Sequence, residues 1–149
     1  MTPIKLSDIP QDSRLAVAEQ IAANLTAHNK LLVAYTAEKI LADETTYLVL
    51  LGSSDHLVIG SIQVRKVQWY QAETCHLTVH PAYRRQGFGT ALKHAAEDQA
   101  RASGAKIAQC TIRDDNTASR ELSRGAGWSE VSAFRGDRGN TVRVYQKTL

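Results

Sequence analysis

The sequence predicts a single α/β domain over residues 1–149, built on a mixed six- to seven-stranded sheet with helices on both faces. Three observations carry that expectation. The hydrophobic period switches repeatedly between three-to-four and two along 149 residues, a length that suits one domain. Between Glu73 and Ile112 a strand, a basic glycine-containing loop, a helix and another strand follow one another. That order implies a parallel strand pair at the sheet centre. The remaining strands are separated by short turns rich in Gly, Ser, Asp and Asn, which implies antiparallel neighbours.

Residues 13–28 read as the first helix, with Leu15, Ala18, Ile21, Ala22 and Leu25 on one apolar face and Asp12 or Ser13 as N-cap. Lys30 to Ala42, with Leu31, Leu32, Val33, Tyr35, Ile40 and Leu41, reads as a second, short helix. Thr45 to Leu51 and His56 to Val67 read as a hairpin closed by Gly52-Ser53-Ser54-Asp55, with Ile62, Val64 and Val67 facing inward. Glu73 to His80 is a third strand: Cys75, Leu77 and Val79 share one face, and Thr74, His76, Thr78 and His80 the other. Pro81 ends it.

Thr90 to Ser103 is a helix whose predicted inner stripe is Ala91, Leu92, Ala95, Ala96, Gln99 and Ala102, with Gly104 as the terminating residue. Lys106 to Ile112 is a strand. Asp114-Asp115-Asn116 caps a short helix from Thr117 to Arg124, which Gly125 and Gly127 break. Strands near Ser129–Phe134 and Thr141–Lys147 complete the chain.

Composition narrows the function classes. Hydrophobic residues make up 43% and charged residues 22%, which excludes wholesale disorder. A net charge of +3 agrees with an anionic ligand but is too small to argue nucleic-acid binding. No run of apolar residues is long enough to span a membrane, and the start of the chain lacks the apolar segment of a signal peptide. Cys75 and Cys110 have no metal-ligand spacing, so no metal is expected. They could lie on adjacent strands. The expected setting is reducing and cytoplasmic.

The sharpest feature is Arg84-Arg85-Gln86-Gly87-Phe88-Gly89-Thr90, between a strand and a strong helix. The first turn of a helix carries free N–H groups and partial positive charge, glycine lets the backbone approach an anion, and arginine adds formal charge. No Gly-Lys-Ser/Thr ends the motif, so it is not a P-loop. Leu92 stands where a dinucleotide fingerprint needs glycine. Ala91, Leu92, Lys93 and His94 continue as helix, which rejects an RNA-binding strand motif.

These residues resemble the GNAT N-acetyltransferase superfamily. Arg84 to Gly89 is similar to its Gln/Arg-x-x-Gly-x-Gly/Ala signature, Leu77 to Tyr83 to the approach to that loop, and Asn116-Thr117-Ala118 with Gly127-Trp128 to its second block. The resemblance covers roughly residues 45–149. It implies an N-acetyltransferase with acetyl-CoA (coenzyme A) as cosubstrate and a sheet whose central strands splay after a bulge near His76 or Leu77. It further implies that Leu77, Thr78 and Val79 line the pantetheine arm, with Leu77 N–H facing the oxyanion. Arg84, Arg85, Gln86, Gly87, Phe88, Gly89 and Thr90 would hold the pyrophosphate, and Asn116 would lie near the sulfur.

A protonated amine has no lone pair, so a base is needed. Glu73 is the first candidate and His76 and His80 are rivals. Many family members carry a tyrosine seven residues after the Asn to protonate the leaving thiolate; here the position is Ser123, a shorter and weaker acid. The acceptor is expected to be a primary amine on a small molecule, a peptide or a protein. Trp69, Tyr70 and Trp128 are candidate wall residues, and Lys66, Arg135, Arg138 and Arg143 could favour an acidic acceptor. Resemblance also implies a possible homodimer. The alternatives are a catalytically impaired acyl-CoA-binding domain and acylation of a nucleic-acid-linked amine.

Overall fold

The computed structural model describes residues 1–29, 33–53 and 57–149. Seven strands form one sheet: β1 (Ile4–Lys5), β2 (Tyr47–Leu51), β3 (Val58–Lys66), β4 (Gln71–Val79), β5 (Ile107–Arg113), β6 (Ser129–Arg135) and β7 (Thr141–Thr148). Their spatial order is β1-β2-β3-β4-β5-β7-β6. Among the described residues, only β4 and β5 pair in parallel. The helices are α1 (Gln11–His28), α2 (Ala37–Ala42), α3 (Phe88–Ala102) and α4 (Thr117–Gly125).

Helices cover both faces. On one side α1 and Ile40 of α2 pack with Tyr47, Val49 and Val58. On the other, Leu92, Ala96 and Ala100 of α3 pack with Leu48, Leu50, Ile62, Val64 and Ala72. Because β3 lies under both layers, its residues 58–64 are all buried. The alternation expected there is therefore absent, and Val67 lies exposed beyond the strand end. Gly60 permits the close approach of α3: a Cβ there would stand 2.8 Å from the Thr78 carbonyl oxygen and 2.9 Å from Leu92.

Several expected boundaries move. Helix α1 starts at Gln11 with Pro10 as its cap residue, so neither Asp12 nor Ser13 is the N-cap. Asp12 sits in the first turn instead, where its charge favours the helix dipole. Arg14 anchors this end by donating to the carbonyls of Ile9 and Ser7, both at 2.6 Å. Val17 takes the inner position expected for Leu15, which is 52% exposed. The expected helix over 30–42 is helical only from Ala37, with Thr36 capping it. Its start at 30–32 lies outside the described residues, as do the turn positions Ser54 and Asp55 and the strand start His56.

Helix α3 begins at Phe88, two residues earlier than expected, and buries Lys93 and Glu97 beside Leu92, Ala96 and Ala100. Its inner face is thus rotated by one position, leaving Ala102 exposed. Asn116 caps α4 as expected, its Oδ1 accepting the Ser119 N–H at 3.2 Å. Strand β1, too short to show a period, was not expected.

Candidate active site

Strand β4 changes character halfway along. Gln71, Ala72 and Glu73 pair with Ile107, Ala108 and Gln109 of β5, and the ladder stops there. Both strands continue, to Val79 and Arg113, without pairing to each other, so the centre of the sheet opens into a slot. On the β3 side, Ser61 faces Thr78 and Gln63 faces Cys75, which leaves two β4 residues opposite one on β3. His76 sits in this bulge with φ +56. A left-handed non-glycine residue carries strain, and such residues concentrate at functional sites.

The bulge inverts the expected faces. Leu77 and Val79 pack toward α3 with Ala72, whereas the Cys75 thiol lies on the other side, 3.2 Å from Gln63 Oε1. Cys75 is therefore not on the face of Leu77 and Val79. Cys110 turns toward α3, 3.4 Å from Lys93 Nζ, so the two cysteines occupy opposite faces and both are free thiols.

Past the bulge, the His80 N–H donates to the Ile59 carbonyl at 2.7 Å. Alternation then turns the peptide groups of Leu77 and Val79 toward the opened edge. Their carbonyls accept from side chains, Leu77 from Asn29 Nδ2 at 3.4 Å and Val79 from Arg84 Nε at 3.1 Å. The Thr78 hydroxyl is buried without a partner opposite the equally unpaired Ser61 hydroxyl.

The loop that follows gathers backbone N–H groups into a cradle. A 3-10 turn at Pro81–Tyr83 is capped by His80, whose Nδ1 accepts the Ala82 N–H at 3.2 Å. His80 thus has a local task in the turn. Arg85 and Gly87 both adopt positive φ, +60 and +84. Alternating hands of this kind turn successive N–H groups to one side. The first α3 bond runs from Ala91 N–H to the Gly87 carbonyl, and no side chain caps the helix. The N–H groups of Phe88, Gly89 and Thr90 therefore have no helical acceptor. A Cβ on Gly87 would meet nothing within 4 Å, so its torsion, not crowding, calls for glycine. Gly89 differs: a Cβ there would come 2.8 Å from Leu122 of α4. Arg84, Arg85, Gln86 and Thr90 are exposed around this cradle, and Phe88 packs edge-on to Tyr83.

His76 anchors the opposite face. Its ring meets Tyr35 edge-to-face at 4.2 Å, and its Nδ1 stands 3.5 Å from Tyr47 Oη. Burial, and secondarily the Arg65 charge, holds its imidazole below the usual value, so it is neutral near pH 7. Burial likewise pushes the Tyr47 phenol up, so it remains a hydroxyl. Glu73 lies at the last paired rung and forms an ion pair with Arg65 at 3.5 Å. Ser123 is buried on α4, and Asn116 commits its Oδ1 to the cap, leaving its Nδ2. Sequence reasoning did not assign Tyr35, Tyr47 or Asn29 to the site. Tyr35 and Tyr47 read there as apolar members of a helix and a strand, and no spacing links them to His76.

Other expected wall residues are elsewhere. Trp69 and Tyr70 sit in the β3–β4 turn, at the end of β4 remote from the loop. Trp128 is core, its Nε1 donating to Glu97 at 2.8 Å. Lys66 is tied to the Ser103 carbonyl at 2.7 Å, and Arg143 to Asp114 and Glu130, so these two do not extend one basic surface toward the slot.

An opened parallel pair leading into an uncapped, glycine-started helix defines a fold class that comparison identifies. A sequence model of the Acetyltransferase (GNAT) family matches residues 14–128, and the chain belongs to that family. Among solved structures, Ard1 from Thermoplasma volcanium is similar at 18% identity, with a TM-score of 0.78 over 91% of this chain and 93% of that one. The ribosomal-protein-S18-alanine N-acetyltransferase from Escherichia coli is similar at 17% identity and a TM-score of 0.71, covering 93% and 90%. The NatC complex bound to Gag peptide and CoA contains a chain similar at 13% identity and a TM-score of 0.74, covering 99% and 96%. These likenesses show the shared fold. A search of curated proteins finds no match.

Proposed function

We propose that this chain transfers an acetyl group from acetyl-CoA to a primary amine, with His76 as the base. The observation that carries the reading is the run of bulge, opened edge and uncapped helix start along one segment, His76 to Thr90. Acetyl-CoA supplies the activated acetyl group. The N–H groups of Arg85 to Thr90 hold its pyrophosphate, with Arg84, Arg85 and Gln86 adding charge and hydrogen bonds at the rim. The peptide groups of Leu77 and Val79 pair with the pantetheine arm beside Thr78, replacing the contacts from Asn29 and Arg84. The Asn116 Nδ2 donates near the sulfur end, and the Leu77 N–H faces the developing oxyanion.

The amine must lose a proton, and a neutral imidazole accepts one. Tyr35 and Tyr47 orient the His76 ring, and Arg65 disfavours its protonation. Glu73, paired with Arg65, is the weaker base candidate and acts by holding that guanidinium. The leaving thiolate takes its proton from water, since Ser123 is buried and a poor acid. Two of the similar structures are of a ribosomal-protein-S18-alanine N-acetyltransferase and of a complex bound to Gag peptide and CoA, which supports a protein or peptide amine as acceptor.

Ser123 at the usual tyrosine position favours a second reading, an acyl-CoA-binding domain without turnover. The test is release of free thiol from acetyl-CoA over a panel of peptide and small-molecule amines. Turnover that falls in His76→Gln supports the enzyme. Acetyl-CoA binding with no thiol release for any amine selects the second reading.

A further inference from the structure

Lys93 is 3% exposed, and Cys110, on the facing strand, is 5% exposed. Lys93 Nζ stands 3.4 Å from Cys110 Sγ and 3.8 Å from the centroid of the Trp128 ring. No ion pair to a carboxylate is found for Lys93 among the described residues. Glu97, the acid whose charge acts on Lys93, commits Oε1 to Trp128 Nε1 at 2.8 Å and Oε2 to Lys147 at 3.0 Å, with His94 at 3.4 Å from the same oxygen. A buried amine and a buried thiol in contact form a unit with zero net charge in either of two forms, ammonium with thiolate or amine with thiol. Moving one proton between them interconverts the forms, so an apolar site tolerates the pair although it would reject either ion alone. Burial lowers the Lys93 pKa, which favours the form with a free lone pair on nitrogen.

Cys110 is the first β5 residue beyond the last β4–β5 rung, at the closed end of the slot where the two strands begin to part. Cys75, the other thiol, donates to the Gln63 amide beside the Arg65 guanidinium, which carries no lone pair to attack sulfur, and burial pushes its pKa up to about 11.

We propose that Lys93 and Cys110 are an oxidative modification site, at which peroxide converts the pair into a covalent sulfur–nitrogen cross-link between α3 and β5. In the first step the Lys93 amine takes the thiol proton and the Cys110 thiolate attacks one peroxide oxygen. The O–O bond breaks, sulfur gives up two electrons, and the leaving hydroxide takes the proton back from Lys93 as water, so a sulfenic acid and a neutral amine remain. In the second step the Lys93 amine attacks that sulfur, the S–O bond breaks, and the released hydroxide takes the amine proton as water. The product is a sulfenamide. Two equivalents of an added thiol reverse it: the first displaces the amine to give a mixed disulfide, and the second frees Cys110. The link ties the second turn of the helix that carries the phosphate cradle to one wall of the slot.

The test is peptide mass spectrometry on the folded chain treated with hydrogen peroxide in slight excess. The expected product joins the Lys93 and Cys110 peptides, is lighter than their sum by two hydrogens, resists trypsin at Lys93 and is reversed by dithiothreitol. It forms equally in Cys75→Ser and is lost in Cys110→Ser and in Lys93→Arg. Wild-type chain unfolded in urea and oxidised in the same way gives no such product, which keeps the test sound if a variant fails to fold. Oxidation of Cys110 to sulfinic acid without a joined peptide, or oxidation of Cys75 ahead of Cys110, would overturn the proposal.

Discussion

The two halves of β4 are made from similar residues and do opposite work. Ala72 and Glu73 have strands on both sides, and Ala72 is packed beneath α3. Thr74 to Val79 keep only the β3 neighbour and carry a bulge, a left-handed histidine and carbonyls capped by side chains. The first half holds the sheet together, and the second gives up ladder bonds and, in the proposed function, presents backbone and imidazole to a ligand. Stability and chemistry are thereby separated within nine residues. Substitutions should tell the halves apart.

The largest effect is expected from His76→Gln in the opened half. It should lower kcat by about 10²-fold or more, the usual worth of a general base, with the melting temperature nearly unchanged. Glu73→Gln, at the junction, should cost less, and a steeper loss there than at His76 in parallel kinetics would move the base to Glu73. Next comes Gly87→Val, which forces a β-branched residue to φ +84 where the opened half passes into α3. Strain of about 1–3 kcal/mol should weaken acetyl-CoA affinity, read by calorimetry, by about 10- to 100-fold. Retained affinity would remove the cradle from the cofactor site.

In the paired half the reverse is expected. Ala72→Leu crowds the α3 interface and should cost about 1–3 kcal/mol in denaturant unfolding while leaving KM for acetyl-CoA nearly unchanged. The smallest effect is on pH. His76 is held below the ordinary imidazole value, so between the two values the unfolded chain binds a proton that the native chain does not. Native stability is complete above the ordinary imidazole range and declines as pH falls through it. In His76→Gln that part of the decline should vanish, and unfolding midpoints at pH 7 and pH 5.5 measure it.

Much of the fold was legible without coordinates because periodicity reports burial. The strong patterns at residues 13–28 and 90–103 became α1 and α3, displaced by a residue or two where Pro10 and Gly87 set the starts. Asn116 was legible as a cap because an Asx side chain meets its own helix locally. The faces of β4 were misread because a bulge adds one residue and reverses every side chain after it, and alternation carries no mark of that. The inner face of α3 was misread where it buries Lys93 and Glu97, charged residues whose partners lie on β5, β7 and Trp128.

From the sequence alone come the order of elements from α1 onward and the capping Asn116, which rest on neighbours within a few residues, and the parallel centre, which follows from a strand–helix–strand order. Only the tertiary structure decided that the β4–β5 ladder stops at Glu73, that His76 lies between Tyr35 and Tyr47, and that Lys93 meets Cys110. Those contacts join residues 17 to 41 positions apart. Local propensity does not encode such distances, and packing of the two helical layers against one sheet fixes them.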